Sequence, residues 1–170
     1  AGVTYTIFLD EGETYQVKAG TSSTDLSGTT LVATAASGPC RPFAVFAGSQ
    51  CTNLPTGCTA CDHIYDHLLP TASCGTDDYI VPFSGTSGFT YQVMARDNGT
   101  QVSIDGGAPI NLNAGQFQLF NHVPGPTQVI GNQPIAVTQF MQGVTCSLTG
   151  DPAMLVMNAD DQKISEVTFS

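Results

Sequence analysis

Six cysteines constrain this chain more than any other feature: Cys40, Cys51, Cys58, Cys61, Cys74 and Cys146, five of them within 35 positions. In an oxidising compartment an even number at this density reads as three disulfides, with fifteen possible connectivities. The competing chemistry is a metal. Cys58-Thr-Ala-Cys61 is a C-x-x-C followed by His63 and His67, and Cys58, Cys61, His63 and His67 together would complete a tetrahedral zinc shell. Zinc ribbons and fingers space their ligand pairs further apart, and that shell would leave the other four cysteines unexplained. A redox C-x-x-C opens a helix after a buried strand of a βαβ unit, and no strand alternates with a helix here. The disulfide reading is preferred, and it places the chain outside the cell or on its surface. The chain opens at Ala1-Gly2 with no leader peptide in view, so secretion is inferred from the cysteines alone.

Charge removes other partners. Fourteen acidic residues face four basic ones, Lys18, Arg41, Arg96 and Lys163, for a net charge of -10. A nucleic-acid footprint needs clustered Lys and Arg, so nucleic acid is excluded, as is an anionic membrane surface. No apolar run approaches the ~18 residues of a spanning helix, so membrane insertion is not expected. Charged residues make up 11% of the chain, against roughly 25% in an average soluble domain. Thr, Ser, Gly, Asn and Gln cover the surface instead, and Thr with β-branched and aromatic residues between Gly-rich turns is the composition of sheets.

Short strand patterns follow one another: 3–9, 14–18, 29–34, 43–47, 79–83, 90–95, 100–105, 110–112, 116–120, 127–130, 135–140, 153–157 and 166–169. Asp97-Asn98-Gly99 predicts a tight hairpin turn between two of them. Only Asp62–Leu69 has helical spacing, ended by Pro70, and one short helical turn is expected there. An internal repeat organises the pattern. Thr6-Ile7-Phe8-Leu9-Asp10-Glu11-Gly12-Glu13 matches Pro109-Ile110-Asn111-Leu112-Asn113-Ala114-Gly115-Gln116, and Arg41-Pro42-Phe43-Ala44-Val45 matches Gln133-Pro134-Ile135-Ala136-Val137. The expected fold is all-β: antiparallel β-sandwich-like units in tandem repeat, disulfide-stapled, with propeller-like blades as the alternative. The first unit is 1–84, with a disulfide-rich loop at 51–74, and the second is 85–170. The second opens with strands 90–95 and 100–105, which have no counterpart before Thr6. The first unit therefore starts short and leaves a strand edge to be filled by another part of the chain or by another molecule, which makes self-association through an open edge an expectation.

The residues Leu9-x-x-Gly12-Glu13-x-Tyr15-Gln16-Val17, Asp25-Leu26-Ser27-Gly28-Thr29, Pro42-Phe43-Ala44-Val45-Phe46-Ala47-Gly48, and Cys51 followed by Cys61-Asp62-His63-Ile64-x-x-x-Leu68-Leu69-Pro70 carry a family likeness. So do Tyr91-x-Val93-x-Ala95 with Asn98-x-Thr100-x-Val102-x-Ile104, and Asp151-Pro152-Ala153-Met154. The chain resembles the N-terminal domain family of IgG Fc-binding protein, with relatives in secreted and bacterial surface proteins. The resemblance implies that Cys51 and Cys61 pair, and that the chain belongs to large secreted or surface architectures concerned with adhesion. Cys40, Cys58, Cys74 and Cys146 depart from the family pattern; Cys58 with Cys74 and Cys40 with Cys146 are then the remaining pairs.

Catalytic constellations are scarce. No H-E-x-x-H, G-x-S-x-G or P-loop occurs; His63 reads as a structural hydrogen-bonding residue in the disulfide loop, and His67 and His122 as surface residues. Asp77-Asp78 and Asp160-Asp161 sit at similar places in the two units and are candidate Ca²⁺ ligands, though without a D-x-D-x-D-G loop the solvated-turn reading is preferred. No cofactor is expected. Asn98-Gly99-Thr100 is an acceptor sequence for N-glycosylation. The expected role is a non-enzymatic secreted or cell-surface structural or adhesive protein, a module or subunit of an extracellular matrix or filament. One alternative is a specific glycan- or protein-binding domain, with Tyr65, Phe89 or Phe120 as exposed aromatics. The other is a hydrolase whose site is assembled from scattered residues.

Overall fold

In the computed structural model, which describes residues 3–21, 24–34, 38, 41–59, 61–164, 166 and 168, two antiparallel ladders carry the architecture. A small one joins β1 (Phe46–Thr52) to β2 (Asp62–His67). The larger contains β3 (Gly75–Ile80), β4 (Phe89–Ala95), β5 (Thr100–Ile104), β6 (Ile110–Leu112), β7 (Phe117–Val123), β8 (Thr127–Met141) and β9 (Ala153–Val156). The single α-helical turn among the described residues, α1, is Val144–Ser147.

The large sheet is organised by β8, whose 15 residues are long enough to serve four partners. On one flank β4 pairs with 135–141 and β5 with 129–131; on the other β9 pairs with 138–141, and β3 with 127–130 and Ile135. Between the two halves β8 bends at Gly131, where a Cβ would lie 2.5 Å from the Gln133 carbonyl oxygen. Pro134 follows at the same bend, where a missing backbone donor is tolerated.

The hydrogen-bonded order is β6-β5-β8-β4-β7. Since β4 and β5 follow one another along one flank of β8, β7 and β6 follow one another beyond them on the same edge. The turn Asn113–Gln116 joins β6 to β7, the Gln116 amide donating to the Asn113 carbonyl at 2.8 Å. Side chains from both halves meet in a single cluster, so the sheet curls at the level of Gly131 and of this turn. The curl encloses one core of Ile80, Phe89, Tyr91, Val93, Ala95, Val102, Leu112, Val129, Ile135 and Val137, drawn from both halves.

An all-β, disulfide-bearing fold is what the composition predicted, but several local expectations change. Asp62–Leu69 does not turn into a helix. Pairing with β1 imposes a two-residue period, which buries Ile64 and leaves His63, Tyr65 and His67 exposed. β4 and β5 do not form a hairpin across Asp97-Asn98-Gly99. Both are antiparallel to β8 on the same flank, so they run in the same direction, one after the other. The separate strands 127–130 and 135–140 are one strand. Residues 3–9, 14–18 and 29–34 are in no ladder, and of 166–169 only Glu166 and Thr168 are described, neither in a strand. Blades of a propeller find no support in this strand order. β3, which falls in the expected unit 1–84, hydrogen-bonds to β8 of 85–170.

Candidate functional site

The outward face of β1–β2 gathers four exposed rings, those of Phe46, His63, Tyr65 and His67. Odd positions of β2 present His63, Tyr65 and His67, while Ile64 and Asp66 point inward. Across the ladder Phe46 faces His67 and Gly48 faces Tyr65. Glycine is required at 48 because a Cβ there would lie 2.0 Å from the Ile64 carbonyl oxygen. The Phe46 and Tyr65 rings stack diagonally, centroids 5.2 Å apart and planes within 5°, with His67 5.1 Å beyond Phe46 and His63 6.4 Å beyond Tyr65. The result is a continuous stripe, His63-Tyr65-Phe46-His67, in which Tyr65 is 59% and Phe46 52% exposed. Stacked rings recover part of the area cost of exposure from one another, and the remaining faces and edges are presented outward.

The hairpin is fixed at three places. Cys51 of β1 is bridged to Cys61 beside β2, closing a loop of ten residues. Within that loop Cys58, itself 1% exposed, is bridged to Cys146 of α1, 88 positions away. Thr59 N–H donates to the Thr145 hydroxyl at 2.8 Å, and the Gly143 amide donates to the Leu54 carbonyl at 2.9 Å. On the inward side Asp66 accepts from the Val156 amide of β9 at 2.7 Å and from the His67 amide at 2.8 Å. These contacts bind the stripe to a rigid frame, the condition for presenting a preformed surface.

The bridges correct the expected pairs. Cys58 joins Cys146, not Cys74, because Leu54 and Thr59 on either side of it bond to Gly143 and Thr145 around α1; Cys146 is therefore not available to Cys40, which lies outside the described residues. Cys74 is a free, half-buried thiol whose pKa burial pushes up. With Cys58 and Cys61 each in a bridge, the zinc shell they would form with His63 and His67 is excluded. His63 packs its ring beside Tyr65 instead of serving as an internal hydrogen-bonding residue, and His122 is exposed at a positive φ of 57°. Phe89 is fully buried and Phe120 stacks on buried Tyr91 at 4.7 Å, because β4 is flanked on both sides; of the three aromatics predicted to be exposed, Tyr65 is the one presented.

The four aspartates come near one another without forming a metal set. Residues 160–162 pack on β3, yet Asp160 pairs with Lys163 at 2.7 Å and Asp77 accepts from Gln128 Nε2 at 3.1 Å. Asp78 is buried with Oδ2 lacking a partner, and burial, with Asp77 and Asp161 nearby, pushes its pKa up to about 6. Among the described residues no group of three or more Asp, Glu, His or Cys could hold a metal ion. Asn98 is exposed, its Oδ1 accepting from the Ala114 amide at 3.1 Å. No helix is long and apolar enough to cross a membrane among the described residues.

Comparison with known proteins points in one direction. The family model described as IgGFc binding protein matches residues 1–170. The human IgGFc-binding protein is 29% identical over 149 residues, covering 84% of this chain and 3% of the human protein. The chain thus spans a small fraction of that relative's length. No solved structure matches.

Proposed function

Because this chain belongs to the IgGFc binding protein family, we propose that it is a non-enzymatic extracellular adhesive module, which grips a protein partner with the aromatic stripe of β1–β2. The observation that carries the reading is the exposure of Phe46 and Tyr65 on a hairpin braced by two disulfides. Aromatic anchors on a rigid support are what protein interfaces use as hot spots. Two bridges, one spanning 88 residues, suit an oxidising compartment outside the cell. Contribution to a larger matrix or surface assembly follows from the same grip and the family setting.

The test uses the one ligand the human relative's name supplies. Purified human IgG Fc is titrated over the immobilised chain, beside a glycan array and the variants Tyr65→Ser and Phe46→Ser. Saturable Fc binding, weakened at least tenfold by either substitution with the unfolding midpoint unchanged, supports the proposal. Binding that ignores both substitutions overturns the site. Glycan binding lost in the variants would transfer the stripe to the second reading, a sugar platform, which the near-parallel Phe46 and Tyr65 rings also suit.

A further inference from the structure

Two turns far apart in sequence share one construction. At Asn113–Gln116 the Gln116 amide donates to the Asn113 carbonyl, the Gln116 side-chain oxygen accepts from the Asn113 amide at 2.8 Å, and Gly115 has φ 75°. At Asp10–Glu13 the Glu13 amide donates to the Asp10 carbonyl, the Glu13 carboxylate accepts from the Asp10 amide at 2.9 Å, and Gly12 has φ 85°. The residues before these turns match as well, Ile7-Phe8-Leu9 with Ile110-Asn111-Leu112.

Their surroundings differ. Ile110–Leu112 is β6 and lies on β5; the segment after the turn is β7 and lies on β4. Leu112 is consequently 8% exposed. Its counterpart Leu9 is 49% exposed and Phe8 89%. Among the described residues no strand hydrogen-bonds to 3–9 or 14–17, and the backbone bond found there is that of the turn. Tyr5 and Tyr15 join through their side chains, so both limbs stand side by side with Ile7, Leu9, Tyr15 and Val17 uncovered.

We infer that residues 5–17 form a strand–turn–strand docking surface for two strands of another polypeptide segment, with the apolar alternation of β4 and β5. The second half of the chain displays the answer for the same sequence pattern: limbs of this type are covered by strands reading Tyr-x-Val-x-Ala and Thr-x-Val-x-Ile, as in Tyr91–Ala95 and Thr100–Ile104. A second copy of the folded chain does not offer them. Its β4 is already held between β7 and β8, and its β5 between β6 and β8. The occupant is therefore a separate pair of strands, added edge to edge with the limbs.

The test follows backbone amide exchange in the full chain, with a synthetic peptide copying residues 88–105 as probe, and in a fusion carrying the same sequence on a flexible linker ahead of Ala1. The expected result is saturable slowing, tenfold or more, at 7–9 and 15–17, with 110–123 unchanged. Gly12→Val should weaken it at least tenfold without altering the unfolding midpoint, because the positive φ at 12 disfavours a side chain while nothing lies within 4 Å of its Cβ. Three outcomes overturn the inference: no slowing in either format, slowing at 110–123 by exchange into the existing sheet, or slowing that grows with protein concentration without the peptide.

Discussion

At the scale of single residues, Asp78 is a carboxylate whose placement costs stability at neutral pH. Its side chain faces inward from β3, is 2% exposed and leaves Oδ2 without a partner. Burial first, then Asp77 and Asp161, raise its pKa to about 6. The folded value lies above that of an unfolded aspartate, so the folded chain binds more protons between pH 4 and 6. Stability attributable to this group is greatest below pH 4, falls as pH rises through that window, and is lowest above pH 6, a span of about 3 kcal/mol. Asp78→Asn should raise the unfolding free energy at pH 7.5 by up to about 3 kcal/mol and leave it nearly unchanged at pH 3.5. Urea titrations at the two pH values check this; equal gains at both would refute the assignment. Residue identity alone could not reveal this group. Asp77 and Asp78 are adjacent carboxylates in sequence, and only the two-residue period of β3 sends one to Gln128 and the other inward.

At the scale of elements, the β1–β2 hairpin depends on its bridges unequally. In the chain-entropy account a cross-link stabilises by restricting the unfolded chain, and the effect grows with the loop it closes. The Cys51–Cys61 bridge closes ten residues and Cys58–Cys146 closes 88, which corresponds to about 3 and about 4.5 kcal/mol respectively. Cys58→Ser with Cys146→Ser should therefore lower the denaturant midpoint more than Cys51→Ser with Cys61→Ser. The second pair should lose partner binding while the β4–β8 core stays folded, as read from amide exchange. Element existence was legible wherever apolar alternation met a partner. Thus 110–112 is β6 as expected, and 90–95 lies within β4. It misled at Asp62–Leu69, where helical spacing of Ile64 and Leu68 coincided with a strand, because only the facing β1 selects between the two periods. It misled again at 3–9, 14–18 and 29–34, where strand-forming residues have no ladder, since hydrogen-bond partners are not a property of the segment that needs them.

At the scale of the whole molecule, scarcity of charge sets the response to salt. The ion pairs among the described residues join near neighbours, Arg96 with Asp97 and Lys163 with Asp160, and such exposed local pairs contribute little. The aromatic stripe contains no Lys or Arg. Affinity for a partner held there should change less than about threefold between 50 and 500 mM NaCl, although the Debye length shortens from over 10 Å to under 5 Å. A strong salt dependence in surface plasmon resonance would move binding off the stripe to a charged part of the surface. The amino-acid sequence by itself determined the all-β class, the disulfide-bearing character and the matching turns at Gly12 and Gly115. These follow from composition, spacing and local turn chemistry, which act over a few residues. Tertiary structure alone decided that Cys58 meets Cys146, that Phe89 is buried while Tyr65 is presented, and that β8 serves both halves of a curled sheet. Each of those depends on which distant segments share a surface, and the bend that folds the two halves of the sheet over one core determines that contact.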